Sequence, residues 1–149
     1  MPAFRTPGPA AGPDRAPPQR RDPVGPFRRG LSRAWTDPDS PDPRLTGREY
    51  AVPFVRVWTA ALETAAQGQR WTVLASDPRR GEIHAEARPR LQRFAGDVWV
   101  RVSLDEDGQT RVDVASQSRR EGADFGANAR RIARFLHALD RRLGDGAPG

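Results

Sequence analysis

The stretch DVWVRVSLDEDGQTRVDVASQS, residues 97 to 118, decides the fold. In its first half, valines and one leucine occupy every second position from Val98 to Leu104, and polar residues or tryptophan lie between them. After the turn sequence DEDGQ, the alternation resumes with Val112 and Val114. Alternation of this kind places apolar side chains on one face of a strand and polar side chains on the other. The stretch therefore predicts two strands of an antiparallel sheet with one buried face and one solvated face.

Two further strands and two helices complete the predicted domain. The segments WTVLAS (71–76) and EIHAEAR (82–88) also alternate, and turn residues fill the connection between them. Apolar residues at helical spacing predict one helix that ends near Gly68 and a second helix after Asp124. We predict an α+β domain of order α-β-β-β-β-α, in which a four-stranded antiparallel sheet carries both helices on one face.

Residues 1 to 43 differ from the rest, because they contain 11 of the 15 prolines together with many arginines. Such a chain buries too little apolar surface to fold alone. We predict an extended N-terminal arm over residues 1–43 and the α+β domain over residues 44–145. Within the arm, PFRRGLSRAW spaces three apolar residues four positions apart between arginines, which is typical of a short helical anchor for a membrane surface or a protein groove. The alternative is that Phe27 and Trp35 fold back onto the domain.

Composition excludes several kinds of site. The net charge is +6, all 25 basic residues are arginine, and cysteine is absent, which excludes disulfides and thiolate ligands. With only two histidines we expect no metal site, and without a dinucleotide or Walker-type glycine loop we expect no cofactor. The sequence has no apolar run of about 18 residues that would span a bilayer and no signal peptide core. We expect the chain to stay in the cytoplasm.

The segment SQSRREGADFGANARR, residues 116 to 131, leads from the last strand into the last helix. In a structural interpretation, Asp124 is the N-cap of the helix, and the turn is formed by Ser116, Ser118, Asp124, Gly126 and Asn128. In a functional interpretation, the helix start binds a phosphate or carboxylate with Arg119, Arg130 and Arg131. The negative charge of Asp124 favours the structural interpretation.

The spacing S-x-S-R followed by D-x-G-x-N-x-x-R, from Ser116 to Arg131, resembles the signature of the domain-of-unknown-function 1499 family. The FAGDV passage at residues 94 to 98 is similar to that family's F-x-D-D-V passage. The resemblance covers residues 48 to 143, although Glu121 stands where the family usually has glycine and a cysteine-containing N-terminal motif is absent. The family has no established activity. Its relatives are common in photosynthetic bacteria, algae and plants, which implies a photosynthetic complex as one setting.

A catalytic triad of His84, Asp113 and Ser116 does not fit the predicted sheet. His84 and Asp113 have the parity of the solvated face, whereas Ser116 has the parity of the buried valines. No G-x-S-x-G elbow exposes a nucleophile. We therefore expect that the chain is not an enzyme.

The leading hypothesis is an accessory or scaffold subunit that docks through its arm on a larger complex, peripheral to the inner membrane on its cytoplasmic face. Its partners would be protein subunits and anionic lipid headgroups. Nucleic acid fits less well, because RNA-binding sheets expose several aromatic residues on one face. The candidate partner-binding residues are Phe27, Arg28, Arg29, Leu31, Arg33, Trp35 and Trp99. The alternative is a soluble binding module that recognises an anionic ligand or nucleic acid through the arginine-rich turn.

Overall fold

The structure of the protein, a computed structural model, describes residues 27 to 144. Its elements are, in chain order, β1 (Arg33–Trp35), β2 (Arg48–Tyr50), α1 (Phe54–Gln67), β3 (Trp71–Asp77), β4 (Glu82–Ala87), β5 (Gly96–Leu104), β6 (Thr110–Ser118) and α2 (Ala127–Leu143). Single 3₁₀ turns at Pro43–Leu45 and Gln92–Phe94 precede β2 and β5. Most of the predicted arm, residues 1 to 26, lies outside the described residues.

The strands form one antiparallel sheet of order β1-β6-β5-β4-β3, and β2 also pairs with β6. Strands β5 and β6 pair along their full length, from Gly96 opposite Ser118 to Leu104 opposite Thr110. Strands β1 and β2 lie one after the other along the free edge of β6. The α+β class, the antiparallel sheet and the two helices are confirmed, but the sheet has six strands where the sequence predicted four. The two missed strands have three residues each, too few to show an alternating pattern.

Strand β1 lies in the segment that was predicted to form a helical anchor, and the structure corrects that prediction. Gly30 has a φ of +81°, a conformation that interrupts a helix and that glycine adopts without strain. Backbone hydrogen bonds then hold the segment on β6, from Ser118 N to Ser32 O at 2.8 Å and from Thr36 N to Val114 O at 2.9 Å. The sheet therefore begins before residue 44, where the sequence analysis placed the start of the domain.

Both helices cover the same face of the sheet. Helix α1 ends at Gln67 with Gly68 as its C-cap, as the sequence predicted. On the covered face of the sheet, Ile83, Val100 and Val114 are at most 1% exposed. They belong to one core with the buried helix residues Val57, Trp58, Ala61, Ala65, Ile132, Phe135, Leu136 and Leu139. The opposite, outer face of the sheet carries the polar set of the alternating strands.

Several helices and strands begin or end at one end of the domain, which we call the pocket end. The C-terminal turn of α1, the first residue of β3, the last residue of β4 and the first turns of α2 all meet there. The opposite end carries the turn between β5 and β6 and the start of α1. Within residues 27 to 144, neither helix has the length and apolar character that crossing a membrane requires.

Candidate anion-binding pocket

The loop between β6 and α2 sets where α2 begins. Its last residue, Gly126, has a φ of +81° and is the N-cap of the helix, so the prediction that Asp124 is the N-cap is wrong by two residues. The Asp124 carboxylate nevertheless accepts hydrogen bonds from the backbone N–H of Gly126 at 2.9 Å and of Asn128 at 3.3 Å. Burial raises the pKa of Asp124, but these hydrogen bonds outweigh burial and hold the pKa below its usual value. The structural interpretation of this turn is thereby supported.

The side chain of Asn128 is fully buried and forms the centre of a polar network. Its Oδ1 accepts hydrogen bonds from Ser116 Oγ at 2.6 Å and from Arg131 Nη1 at 2.9 Å. Its Nδ2 donates to Ser118 Oγ at 2.9 Å and to Asp124 Oδ2 at 2.7 Å. One amide thus joins the start of α2 to the last residues of β6, which gives each of these polar residues a structural role in the turn.

The guanidinium of Arg131 donates hydrogen bonds to the protein through only some of its N–H groups. Arg131 is 8% exposed, and its Nη1 donates to Ser116 Oγ and Asn128 Oδ1, both at 2.9 Å, while Nη2 donates to the carbonyl of Phe94. Because arginine has five N–H donors, its Nε–H and one Nη2–H are left without an acceptor among residues 27 to 144. Burial, together with repulsion from Arg134, lowers the pKa of Arg131 to about 10, although attraction from the Asp124 carboxylate acts in the opposite direction. The side chain is therefore a buried cation at neutral pH.

Gly96, the first residue of β5, makes room for this cation. A Cβ at this position would lie 2.9 Å from Arg131 Nη1 and 2.5 Å from the carbonyl oxygen of Gln117. Such distances are shorter than normal packing allows, so any larger residue displaces either the strand or the guanidinium. The sequence analysis missed Gly96, although a glycine at a strand end often marks the close approach of another group.

A pocket of about 530 Å³ opens at the pocket end, and Arg131 forms part of its wall. No aspartate or glutamate lines it. Five arginines line it, and none of them has a carboxylate within 4.0 Å in the part of the chain that the structure describes. The lining consists of Gln67, Gly68, Gln69, Arg70, Trp71, Ala87, Arg88, Pro89, Phe94, Ala127, Arg130, Arg131 and Arg134. We call this site the arginine pocket.

The structure separates the three arginines that the sequence grouped as anion-binding candidates. Arg130 and Arg131 line the arginine pocket. Arg119 lies on the outer face, where it contacts Asp97 at 2.7 Å and Glu86 at 2.8 Å. Its charge is already neutralised by these two carboxylates, so Arg119 is not available to a ligand of the pocket.

Three arginines of the pocket were missed, and two of them, Arg70 and Arg88, are distant in sequence from the β6–α2 turn. Arg70 precedes β3 and Arg88 follows β4, and the backbone N–H of Arg88 donates to the carbonyl of Arg70 at 2.8 Å. Their proximity depends on the register that sets Trp71 opposite Ala87, which the sequence does not specify. Arg134 was the detectable one, since it lies four residues after Arg130 and hence on the same helix face.

The aromatic residues predicted to bind a partner lie together on the outer face. The Phe27 ring centroid is 5.7 Å from that of Trp35 and 6.0 Å from that of Trp99. The guanidinium carbon of Arg33 lies 4.7 Å from the Phe27 centroid. These contacts match the alternative in which Phe27 and Trp35 fold back onto the domain. The remaining candidates occupy the turn before β1, where the side chains of Arg28 and Arg29 are exposed and that of Leu31 is half-buried.

The residues considered for a triad lie on both faces of the sheet. Ser116 is fully buried on the helix side, as its parity predicted. On the outer face, His84 Nε2 lies 3.0 Å from Asp97 Oδ1, and the imidazole stacks on Trp99 with 5.2 Å between ring centroids. His84 therefore pairs with Asp97 and not with Asp113.

The fold and the pocket define a small α+β domain with a basic cleft between its helices and one end of its sheet. A comparison with protein families assigns the chain to one of them: it belongs to the family described as "Protein of unknown function (DUF1499)", which matches residues 21–139. The resemblance seen in the sequence is thereby confirmed, and the match extends into the segment that contains β1. The comparison with curated proteins found no match.

Among solved structures, the chain is similar to the Zhui aromatase/cyclase from Streptomyces sp. R1128. The identity is 13% and the TM-score 0.40, over 75% of this chain and 86% of that one. The expectation that this chain is not an enzyme is contradicted by this comparison, which finds an enzyme among its structural neighbours, and it is withdrawn. The likeness transfers no activity to this chain.

Proposed function

We propose that the arginine pocket binds a small organic anion, a carboxylate, sulfonate or phosphate carried on a flat apolar body. The observation that carries this proposal is the state of Arg131, which is 8% exposed, cationic and without a carboxylate partner among the described residues. Two of its N–H groups have no acceptor there, and Arg131 forms part of the pocket wall. An anion in the pocket supplies both the missing charge and the missing acceptors.

The energetics favour such a ligand. A buried charge without a partner costs several kcal/mol, and a charge-assisted hydrogen bond to a guanidinium recovers about 1.5–3 kcal/mol of this cost. Four further arginines raise the local positive potential, and no carboxylate in the pocket wall opposes it. The planar fork of a guanidinium matches the paired oxygens of a carboxylate or phosphate.

The apolar part of the wall indicates the rest of the ligand. Trp71, Ala87, Pro89 and Phe94 contribute apolar surface to the pocket. The ring of Trp71 is held in place, since it stacks on Phe135 with 5.1 Å between centroids and an interplanar angle of 14°. Flat, fixed apolar surface beside cations suits a ligand with a planar body and an acidic group. A volume of about 530 Å³ suits a small molecule better than a nucleic acid strand.

Two fluorescent probes that differ by one sulfonate test the proposal. The probe 8-anilinonaphthalene-1-sulfonate carries the anion, and N-phenyl-1-naphthylamine has the same rings without it. We expect saturable binding of the anionic probe to the full chain and weaker binding of the neutral one. Affinity for the anionic probe falls as ionic strength rises, because part of the pocket is open to solvent.

A matched pair of variants locates the site. Arg134→Gln removes a pocket arginine, and we expect it to weaken binding of the anionic probe by about fivefold, a typical value for one partly exposed charge. Arg79→Gln removes an exposed arginine from the turn between β3 and β4 at the opposite end and leaves the affinity unchanged. Equal affinity for the two probes, or equal effects of the two variants, would contradict an anion site in the arginine pocket.

The hypothesis that the arm docks on a larger complex stays a prediction. The described part of the arm contacts the chain's own sheet through Phe27 and β1, and it leaves Arg28 and Arg29 exposed. Native isolation of the tagged chain from solubilised membranes, with and without residues 1 to 26, tests it by identifying what is retained with the protein.

A further inference from the structure

We propose that the surface beside the pocket mouth docks on an anionic lipid bilayer. This docking surface consists of two exposed apolar side chains, Leu91 and Phe125, and three exposed arginines, Arg90, Arg93 and Arg120. It does not depend on a ligand in the arginine pocket, and none of its five residues belongs to the arm. The two apolar residues would enter the bilayer interface, and the arginines would contact lipid phosphates.

The apolar residues are unusually exposed for their size. Leu91 is 60% exposed and Phe125 is 66% exposed. Leu91 is the N-cap of the 3₁₀ turn Gln92–Phe94, and the ring of Phe94 at the end of that turn meets the Phe125 ring edge to face at 6.4 Å, which places the two loops side by side. Two large apolar groups are therefore presented to solvent on neighbouring loops.

The backbone at Phe125 points to a role outside the fold. Phe125 has a φ of +52°, and it is the only residue other than glycine with a positive φ between residues 27 and 144. Asparagine or glycine occupies this conformation more easily than phenylalanine does. The side chain gains little burial in return for this strain. Packing does not explain backbone strain at an exposed aromatic residue, whereas strain of this kind is common at binding sites.

The charge of the surface is positive. Arg93, Arg120 and Phe125 line one shallow cleft of about 420 Å³. The Arg93 guanidinium lies 5.0 Å from the Phe94 centroid and 5.8 Å from that of Phe125, so cation and aromatic ring form one unit.

Carboxylates offset this charge only in part. Of the two that line the cleft, Asp124 is engaged by the first N–H groups of α2, which leaves Glu121. No ion pair joins Arg90, Arg93 or Arg120 to a carboxylate in residues 27 to 144. The surface thus combines aliphatic and aromatic groups with unneutralised arginines, as a peripheral membrane contact does.

Vesicle flotation tests the proposal on the full chain of 149 residues. The vesicles are phosphatidylcholine alone or phosphatidylcholine with one quarter phosphatidylglycerol. We expect the chain to float with the anionic vesicles and to remain behind with the neutral ones. Arg93→Gln weakens partitioning by about fivefold, the effect of one basic residue at an anionic surface, and Arg79→Gln serves as its control.

The apolar contribution has its own matched controls. Leu91→Ser with Phe125→Asn keeps every charge and relieves the strain, and we expect it to weaken partitioning by about tenfold or more. Leu104→Ser with Val55→Ser removes equally exposed residues, at 61% and 72%, far from this surface and leaves partitioning unchanged. Circular dichroism and thermal unfolding establish that each variant is folded. Flotation unaffected by the Leu91 and Phe125 changes would overturn the proposal, as would equal losses in the control pair.

Discussion

Exchanging the residues at positions 124 and 128 places a carboxylate in contact with Arg131 without altering the net charge of the chain. In the native protein, the Asp124 carboxylate accepts a hydrogen bond from the Asn128 amide at 2.7 Å, and the amide oxygen accepts one from Arg131 Nη1 at 2.9 Å. In the double variant Asp124→Asn with Asn128→Asp, the first of these contacts is reversed in direction and the second becomes an ion pair. The buried guanidinium then has its counter-charge inside the protein.

The structure sets the size of the two expected effects. The variant loses the neutral hydrogen bond of 3.2 Å from the Asn128 amide to the Ser32 carbonyl, and the 2.9 Å bond to Ser118 Oγ is kept with the hydroxyl as the donor. The lost bond costs about 1 kcal/mol, and the charge-assisted bond to Arg131 contributes about 1.5–3 kcal/mol. The free energy of unfolding should therefore stay within about 2 kcal/mol of the native value. The affinity of the pocket for an anion, in contrast, should fall by about tenfold or more, because Arg131 is then already paired with a carboxylate.

Fluorescence titration with 8-anilinonaphthalene-1-sulfonate and urea unfolding measure these effects on the same samples. Asp124→Asn alone is the control, because the asparagine oxygen still accepts from the Gly126 N–H and Arg131 stays unpaired. We expect that control to bind the probe at least as well as the native chain does. A double variant that is folded and binds the probe within about threefold of native affinity, a difference of under 1 kcal/mol, would refute the role given to Arg131.

Three further predictions concern the same guanidinium. Gly96→Ala should lower the free energy of unfolding, measured in urea, by about 1–3 kcal/mol, the usual cost of overpacking. The reason is that its Cβ would lie 2.5 Å from the Gln117 carbonyl oxygen. An unchanged urea midpoint would mean that β5 moves to accommodate the methyl group at no cost. Binding of the anionic probe should weaken as the pH rises through about 10, where Arg131 loses its proton. Over the same range the native chain should gain stability relative to Arg131→Gln, because a folded-state pKa below that of a free arginine means that the unfolded chain binds more protons. Parallel stability curves would contradict that pKa.

The sequence predicted those strands that are long enough to show an alternation of apolar and polar residues. The nine-residue strands β5 and β6 bury one face continuously, so their alternation was visible. Strands β1 and β2 exist because the long edge of β6 is available for pairing, which is a tertiary cause that leaves no period in three residues. The helical prediction for residues 26 to 35 failed for the same reason, since pairing with β6 outweighed a spacing that Gly30 already weakened.

The site was predicted only in part, and Arg119 shows why. The parity that correctly turned Ser116 toward the helices also turns Arg119 toward the outer face, since the two positions differ by three residues on one extended segment. Applied to Arg119, the same rule separates it from Arg130 and Arg131 by sequence position alone. Arg70 and Arg88 had no comparable signal, because they become neighbours only through the pairing of β3 with β4.

The structural interpretation of residues 116 to 131 and the proposed ligand binding are compatible, because one side chain would serve both. Arg131 fastens α2 to β6 and to the Phe94 turn through its two Nη atoms. The guanidinium is oriented by three neutral acceptors, an amide, a hydroxyl and a carbonyl, which do not neutralise its charge. If this position served the fold alone, a carboxylate at position 128 would bind Arg131 more strongly than the amide does. The choice of an amide there, with the carboxylate one turn away at Asp124, keeps a fixed cation beside an open pocket.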